Sequence, residues 1–196
     1  MKEVGGTTVF FTLFLLCAIV WRVAETFRKQ GETRGHVSMS WSFYGLFALS
    51  CVIFGGTAAE FFLVQREYNV WLAGLGLVMF VFANLLRRNA IHTLGRYWSL
   101  HIEIRERQPF VREGPYRYVR HPAYAAFVLE HIAVPLVGNA WWSLAVALLA
   151  YLPLILWRLT KEETALAQTF GEAYRAYQRE VGALIPRLPA VRRSVS

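Results

Sequence analysis

The sequence predicts an all-α integral membrane protein with five transmembrane helices, the last two forming a C-terminal helical hairpin. Three observations carry this. The chain is 56% hydrophobic over 196 residues, more than a soluble domain of this size needs. Only 17% of residues are charged, and they gather at 22–36, 87–88, 103–120, 158–180 and 187–193. The stretches between those clusters have the length and apolarity of membrane spans, about 17–25 residues. A chain of 196 residues makes one domain. Residues 1–86 hold three N-terminal spans, and 87–196 hold the hairpin and the polar segments.

The first span runs from Gly5 to Trp21. It ends on an interfacial tryptophan and Arg22, and its start lacks the strong basic region of a signal peptide, so it is expected to be retained. Ser38 to Ala59 is uncharged and makes the second span. Tyr68 to Leu86 makes the third. Only Gln65-Arg66-Glu67 separates these two, which predicts antiparallel neighbours. The apolar region from Pro122 to Trp157 is too long for one span and is interrupted by Glu130 and His131. Gly138-Asn139 is a turn signal at its middle, so it should fold back on itself. Two full crossings need about 40 residues, so the hairpin must borrow flanking residues or be shallow.

The net charge of +8 fits basic loops on one side of a membrane better than a nucleic-acid partner, since no basic run has interleaved aromatics. The arginine-rich loop 22–37, segment 87–121 and C-terminal part lie on one side by this rule. That places the N-terminus outside and the polar segments in the cytoplasm, where they can meet. Cys17 and Cys51 lie in apolar stretches without metal-ligand spacing and are expected to be free, buried thiols; no metal is expected. No Walker loop, G-x-G-x-x-G, H-E-x-x-H or C-x-x-C is present.

Two polar segments can carry chemistry. In 87–121, Gly95 and Gly114-Pro115 are turn formers, and Ile102 and Ile104 alternate with charged residues as in a short extended piece. Pro122 suits the first turn of the fourth helix. His121 then sits at a helix N-terminus, which with Arg120 can seat an anion; an ordinary interfacial belt of tyrosine and arginine competes with that reading. In 156–186, Leu159, Leu166, Phe170, Tyr174, Tyr177 and Val181 mark an amphipathic helix that Gly171 can break. Glu162 and Glu163 flank its apolar stripe, with Arg158 one turn earlier, where a plain surface ion pair is the competing reading. Glu130 and His131 are intramembrane ionisable residues, which face a cavity or a bundle partner.

These residues resemble the isoprenylcysteine carboxyl methyltransferase family and its phospholipid methyltransferase relatives. The resemblance runs through Arg88-Asn89-Ala90, Leu94-Gly95-Arg96-Tyr97-Trp98, Gly114-Pro115-Tyr116 and Arg120-His121-Pro122-Ala123-Tyr124. It closes with Arg158, Glu162-Glu163, Phe170-Gly171, Tyr174, Tyr177 and Ile185-Pro186. It implies a cytoplasmic loop and C-terminal helix enclosing S-adenosyl-L-methionine, with a lipid-side tunnel for a lipophilic acceptor. Carried over by position, His101, Phe110, Val111, Tyr116, His121, Pro122, Tyr124, Glu162 and Glu163 are the cofactor-binding candidates. Arg158 and Glu162 are the catalytic candidates, Arg158 facing the acceptor's reacting group. Asn139 is followed by Ala140, where the eukaryotic enzymes have Asn-Pro. The resemblance implies methyl transfer to a lipophilic carboxylate such as isoprenylcysteine, by a monomer in contact with membrane lipids. A phospholipid-amine N-methyltransferase, an NADPH-dependent sterol-reductase-like enzyme and a non-catalytic lipid-binding protein are the competing readings.

Overall fold

The computed structural model describes residues 5–26, 36–38, 40–64, 66–95, 102–104 and 111–187. Helices dominate: α1 (Gly6–Thr26), α2 (Ser40–Leu63), α3 (Val70–Leu94) and α4 (Pro122–Gly138). Then α5 (Trp141–Val146), a π-helical turn (Ala147–Tyr151) and α6 (Leu152–Phe170) form one continuous run, followed by α7 (Glu172–Glu180). The one sheet among the described residues is an antiparallel ribbon of β1 (His36–Ser38) and β2 (Ile102–Ile104), with Val37 opposite Glu103. β2 is the short extended piece expected from the Ile102/Ile104 alternation.

Among the described residues, four helices are long and apolar enough to cross a membrane: Gly6–Glu25, Trp41–Leu63, Val70–Leu94 and Trp141–Phe170. These are four of the five expected spans; the other, α4, is a shorter apolar helix of 17 residues, the shallow arm that the hairpin's limited length allowed. At 1.5 Å per residue α4 reaches about 25 Å, less than the roughly 30 Å hydrocarbon core. Pro122 starts it and Asn139, in the left-handed region at φ 52°, ends it.

α1 and α3 run past their expected ends at Trp21 and Leu86 because their charges are matched inside the bundle. Arg22 Nη1 lies 3.2 Å from a Glu130 oxygen. Arg87, 1% exposed, pairs with Glu130 and, at 2.7 Å through Nε, with Glu25. Paired in charge in this way, arginine and glutamate can continue a helix through an apolar layer.

The expected pairing of α2 with α3 is also corrected. α3 packs along α4, and α2 packs on α4 and α5, so the short α4 is the centre of the bundle. A seam of small residues makes this possible: Ala73, Gly76, Ala83 and Ala90 are buried on α3, and Ala126, Ala133 and Val137 are buried on α4. A Cβ on Gly76 would lie 2.8 Å from the Ala133 carbonyl oxygen and from the Val137 nitrogen, so only glycine permits this approach. The apolar core continues through Phe11, Phe14, Ile53, Val134 and Ile155.

The end of the bundle away from Pro122 is pinned by polar caps. Glu60 of α2 accepts from the Ser143 and Trp142 backbone N–H groups at 2.6 and 3.1 Å, capping α5, and pairs with Arg66 at 3.2 Å. Asn69 caps α3, and its own N–H donates to the Asn139 side chain at 2.8 Å. Contrary to expectation, Cys17 and Cys51 are exposed, Cys51 lining the cavity between the helices; both are free thiols.

Candidate active site

The segment after α7 returns to the start of α4. The Arg120 and His121 N–H groups donate to the Gly182 and Ala183 carbonyls at 2.8 and 2.9 Å, and Val119 bridges Gly182 in parallel. Gly171, at φ 56°, breaks the amphipathic helix where expected and lets α7 turn under α4. Tyr177 donates from its hydroxyl to the Tyr116 carbonyl. Burial pushes the Tyr177 phenol up to about 12 against the opposing pull of Arg112 and Arg120. Tyr116 and Tyr174 are likewise raised, chiefly by desolvation and next by the nearby glutamates. All three phenols therefore stay protonated near neutral pH.

This clasp brings Tyr116, His121, Pro122, Tyr124, Arg158, Glu162 and Glu163 into one corner, although they come from three elements. The two carboxylates differ sharply. Glu163 accepts from Arg120 Nε at 2.7 Å, approaches His121 Nε2 at 3.2 Å and accepts from Gln178 at 3.1 Å. Arg120 reaches on to the Gln178 and Val181 carbonyls. Arg120 and Glu163 thus hold the C-terminal segment to α4. Glu162 is 29% exposed; one oxygen accepts from the Tyr124 hydroxyl and the other lies 3.9 Å from His121 Nδ1. The His121 and Tyr124 rings stack at 5.6 Å and 11°.

Arg158 is 3% exposed. It donates through Nε to the Tyr124 hydroxyl at 2.9 Å and through Nη1 to Ser42 Oγ at 2.8 Å. Val111 packs against a small apolar cluster of Ala90, Tyr116 and Ala123. His101 and Phe110 lie outside the described residues.

Tyr124 and Arg158 also line a cavity of about 360 Å³ between α1, α2, α3 and α4. Its walls are mostly apolar, including Ile19, Phe43, Phe47 and Phe127, with Ser50 and Tyr151 among the polar exceptions. Arg22, Glu25 and Arg87 line it too. The sequence reading missed these, having taken Arg22 as an interfacial anchor; the available signal was that Arg22 and Glu25 stand one turn apart at the end of an apolar run. Glu130 and His131 do not bond to each other. His131 Nε2 meets Ser50 Oγ at 2.7 Å, and its ring stacks at 3.8 Å on Tyr151, which the π-helical turn presents.

Fold and site together define a multi-pass membrane protein with a polar corner opening onto a lipophilic cavity. The model of the isoprenylcysteine carboxyl methyltransferase (ICMT) family matches residues 75–168, a little under half of the chain. It is 27% identical to the uncharacterized protein YpbQ of Bacillus subtilis (strain 168), over 81% of this chain and 97% of that one. It is 32% identical to protein-S-isoprenylcysteine O-methyltransferase B of Arabidopsis thaliana, over 59% of this chain and 60% of that enzyme. The structure of the eukaryotic intramembrane Ras methyltransferase ICMT superposes with a TM-score of 0.62 at 23% identity, covering 77% of this chain and 54% of that one. The chain therefore spans little more than half the length of these eukaryotic relatives, and the structural likeness concerns the fold.

Proposed function

We propose that the protein transfers a methyl group from S-adenosyl-L-methionine to a lipophilic carboxylic acid within the membrane. The observation that carries this is Arg158, a buried cation shared between the polar corner and the apolar cavity. A guanidinium in such a wall attracts an anionic head whose tail lies in the cavity.

The corner's side chains fit the cofactor. Glu162 keeps exposed carboxylate surface that can accept from hydroxyl groups, and the stacked His121 and Tyr124 rings offer a flat face. His121, Tyr124, Glu162 and Tyr116 would hold it, with Pro122 shaping the turn beneath. The bound cofactor supplies a methyl group already activated on a sulfonium.

The remaining work is alignment and exclusion of water. A carboxylate acceptor needs no general base, because its reference pKa of about 3.5 leaves it ionised at neutral pH. Arg158 orients it, and Tyr124 and Ser42 hold the guanidinium plane. Tyr124 donates to Glu162, so the side chain that steadies Arg158 also steadies the cofactor-facing carboxylate. The clasp of Arg120, Glu163 and Tyr177 keeps the corner closed on the tail side. By the distribution of Arg and Lys, this corner lies on the cytoplasmic side, with the N-terminus outside.

The test is methyl transfer from labelled cofactor to a panel of lipophilic thioether acids and amines. A base-labile ester is expected with the acids, and transfer to amines alone would sink the reading. Arg158→Lys and Arg158→Ala should each lower transfer at least about 100-fold, while S-adenosylhomocysteine affinity stays within about threefold. A parallel loss of cofactor affinity would reassign Arg158.

A further inference from the structure

The cavity has a second polar locus that methyl transfer does not use. Arg22 and Glu25, one turn apart near the end of α1, both line it, with side chains 23% and 21% exposed. Arg22 Nη1 lies 3.9 Å from Glu25 and 3.2 Å from Glu130, and its guanidinium rests on the Phe127 ring at 4.8 Å. Glu25 in turn holds Arg87 at 2.7 Å. Arg22, Arg87, Glu25 and Glu130 contain two positive and two negative groups, so the locus is neutral as a whole but strongly dipolar.

The two polar loci lie along one side of α4. Arg158 is 6.0 Å from the Tyr124 ring, Tyr124 is 6.4 Å from the Phe127 ring, and Arg22 covers Phe127. Tyr124 and Phe127 are one turn apart, which separates the loci by on the order of 10 Å once side-chain reach is added. A plain hydrocarbon tail passing Arg22 and Glu25 would strip water from charged groups and return no hydrogen bond.

We propose that Arg22 and Glu25 are specificity-determining residues, and that the acceptor is a lipophilic acid bearing a hydroxyl on its tail on the order of 10 Å from the carboxylate. This rests on the carboxylate reading of the site. The hydroxyl oxygen accepts from Arg22, and its O–H donates to Glu25, so both partners are served by one group. A ketone serves only Arg22. A second carboxylate gains Arg22 but meets the negative Glu25 and Glu130.

The experiment measures Kd for four acids matched in length: unsubstituted, keto, hydroxy and carboxy at the tail position. The intact protein is used in lipid nanodiscs, with labelled-ligand binding as the readout. The hydroxy acid should bind at least about tenfold tighter than the unsubstituted acid, as expected for a hydrogen bond to a charged group. It should also bind tighter than the keto and carboxy acids. Arg22→Met should bring the hydroxy preference close to one. Arg22→Lys keeps the charge facing Glu130 and guards against misfolding; it should reduce the preference partially, and Glu25→Gln should remove the advantage of hydroxy over keto. Equal affinities in the unaltered protein, or a preference unchanged in Arg22→Lys and Glu25→Gln, would overturn the proposal. Because binding is read directly, the Kd ratios decide the matter even if no acid is methylated, in which case it is the carboxylate reading that fails.

Discussion

Glu162 and Glu163 are adjacent in the chain and differ in surroundings, and this gives them separate expected phenotypes. Glu163 is held by Arg120, His121 and Gln178, with its side chain 16% exposed. Glu163→Gln should cost about 2 kcal/mol of stability, since it leaves the buried Arg120 without its charge partner. Glu162→Gln should change stability little and weaken S-adenosylhomocysteine binding about tenfold, the scale of a charge-assisted hydrogen bond. Unfolding in detergent and ligand titration of both variants separate the two roles, and a shared phenotype would contradict the assignment. The sequence pattern placed both carboxylates on the flank of an apolar stripe but could not distinguish them, because the difference comes from Arg120 and Gln178, far away in sequence. Arg22 and Glu25 were missed for a related reason: despite their one-turn spacing, a charge at the end of an apolar run looks like an anchor until its partners, Glu130 and Arg87, are seen on other helices.

At the scale of elements, the α3–α4 seam sets how closely the bundle's centre can pack. Gly76→Leu would drive a side chain into the α4 backbone at Ala133 and Val137. It should lower stability by about 1–3 kcal/mol, as overpacking does. Thermal unfolding of this variant beside Gly74→Leu, where a Cβ meets no atom within 4 Å, checks it. Equal effects at the two glycines would contradict the close approach. Helix existence, the turn at Asn139 and the break at Gly171 were all readable from apolar length and turn formers. Helix partners were not: the short connection between α2 and α3 suggested contact, yet the small residues of α3 favour α4. The ends of α1 and α3 were set too early because charges were counted as boundaries before their ion pairs were known.

For the whole molecule, the return of the C-terminal segment to the start of α4 joins the polar connector to the last amphipathic helix, as the site requires. Reporter fusions at the two termini should place the N-terminus outside and the C-terminus in the cytoplasm, following the Arg and Lys distribution. A cytoplasmic N-terminal reporter would invert the orientation.

The π-helical turn at Ala147–Tyr151 also has a consequence for chain length. Such a turn houses one extra residue inside an otherwise regular helix. Removing Leu149 should let that run rewind as plain α-helix while the faces before and after it stay aligned. The bundle should survive, with Tyr151 drawn back from His131. Removing Leu156 instead offers no slack, and everything beyond it would rotate by about 100°, swinging Arg158, Glu162 and Glu163 away from the corner together. A one-residue shortening of this long helix is therefore tolerable at one place and ruinous about two turns later.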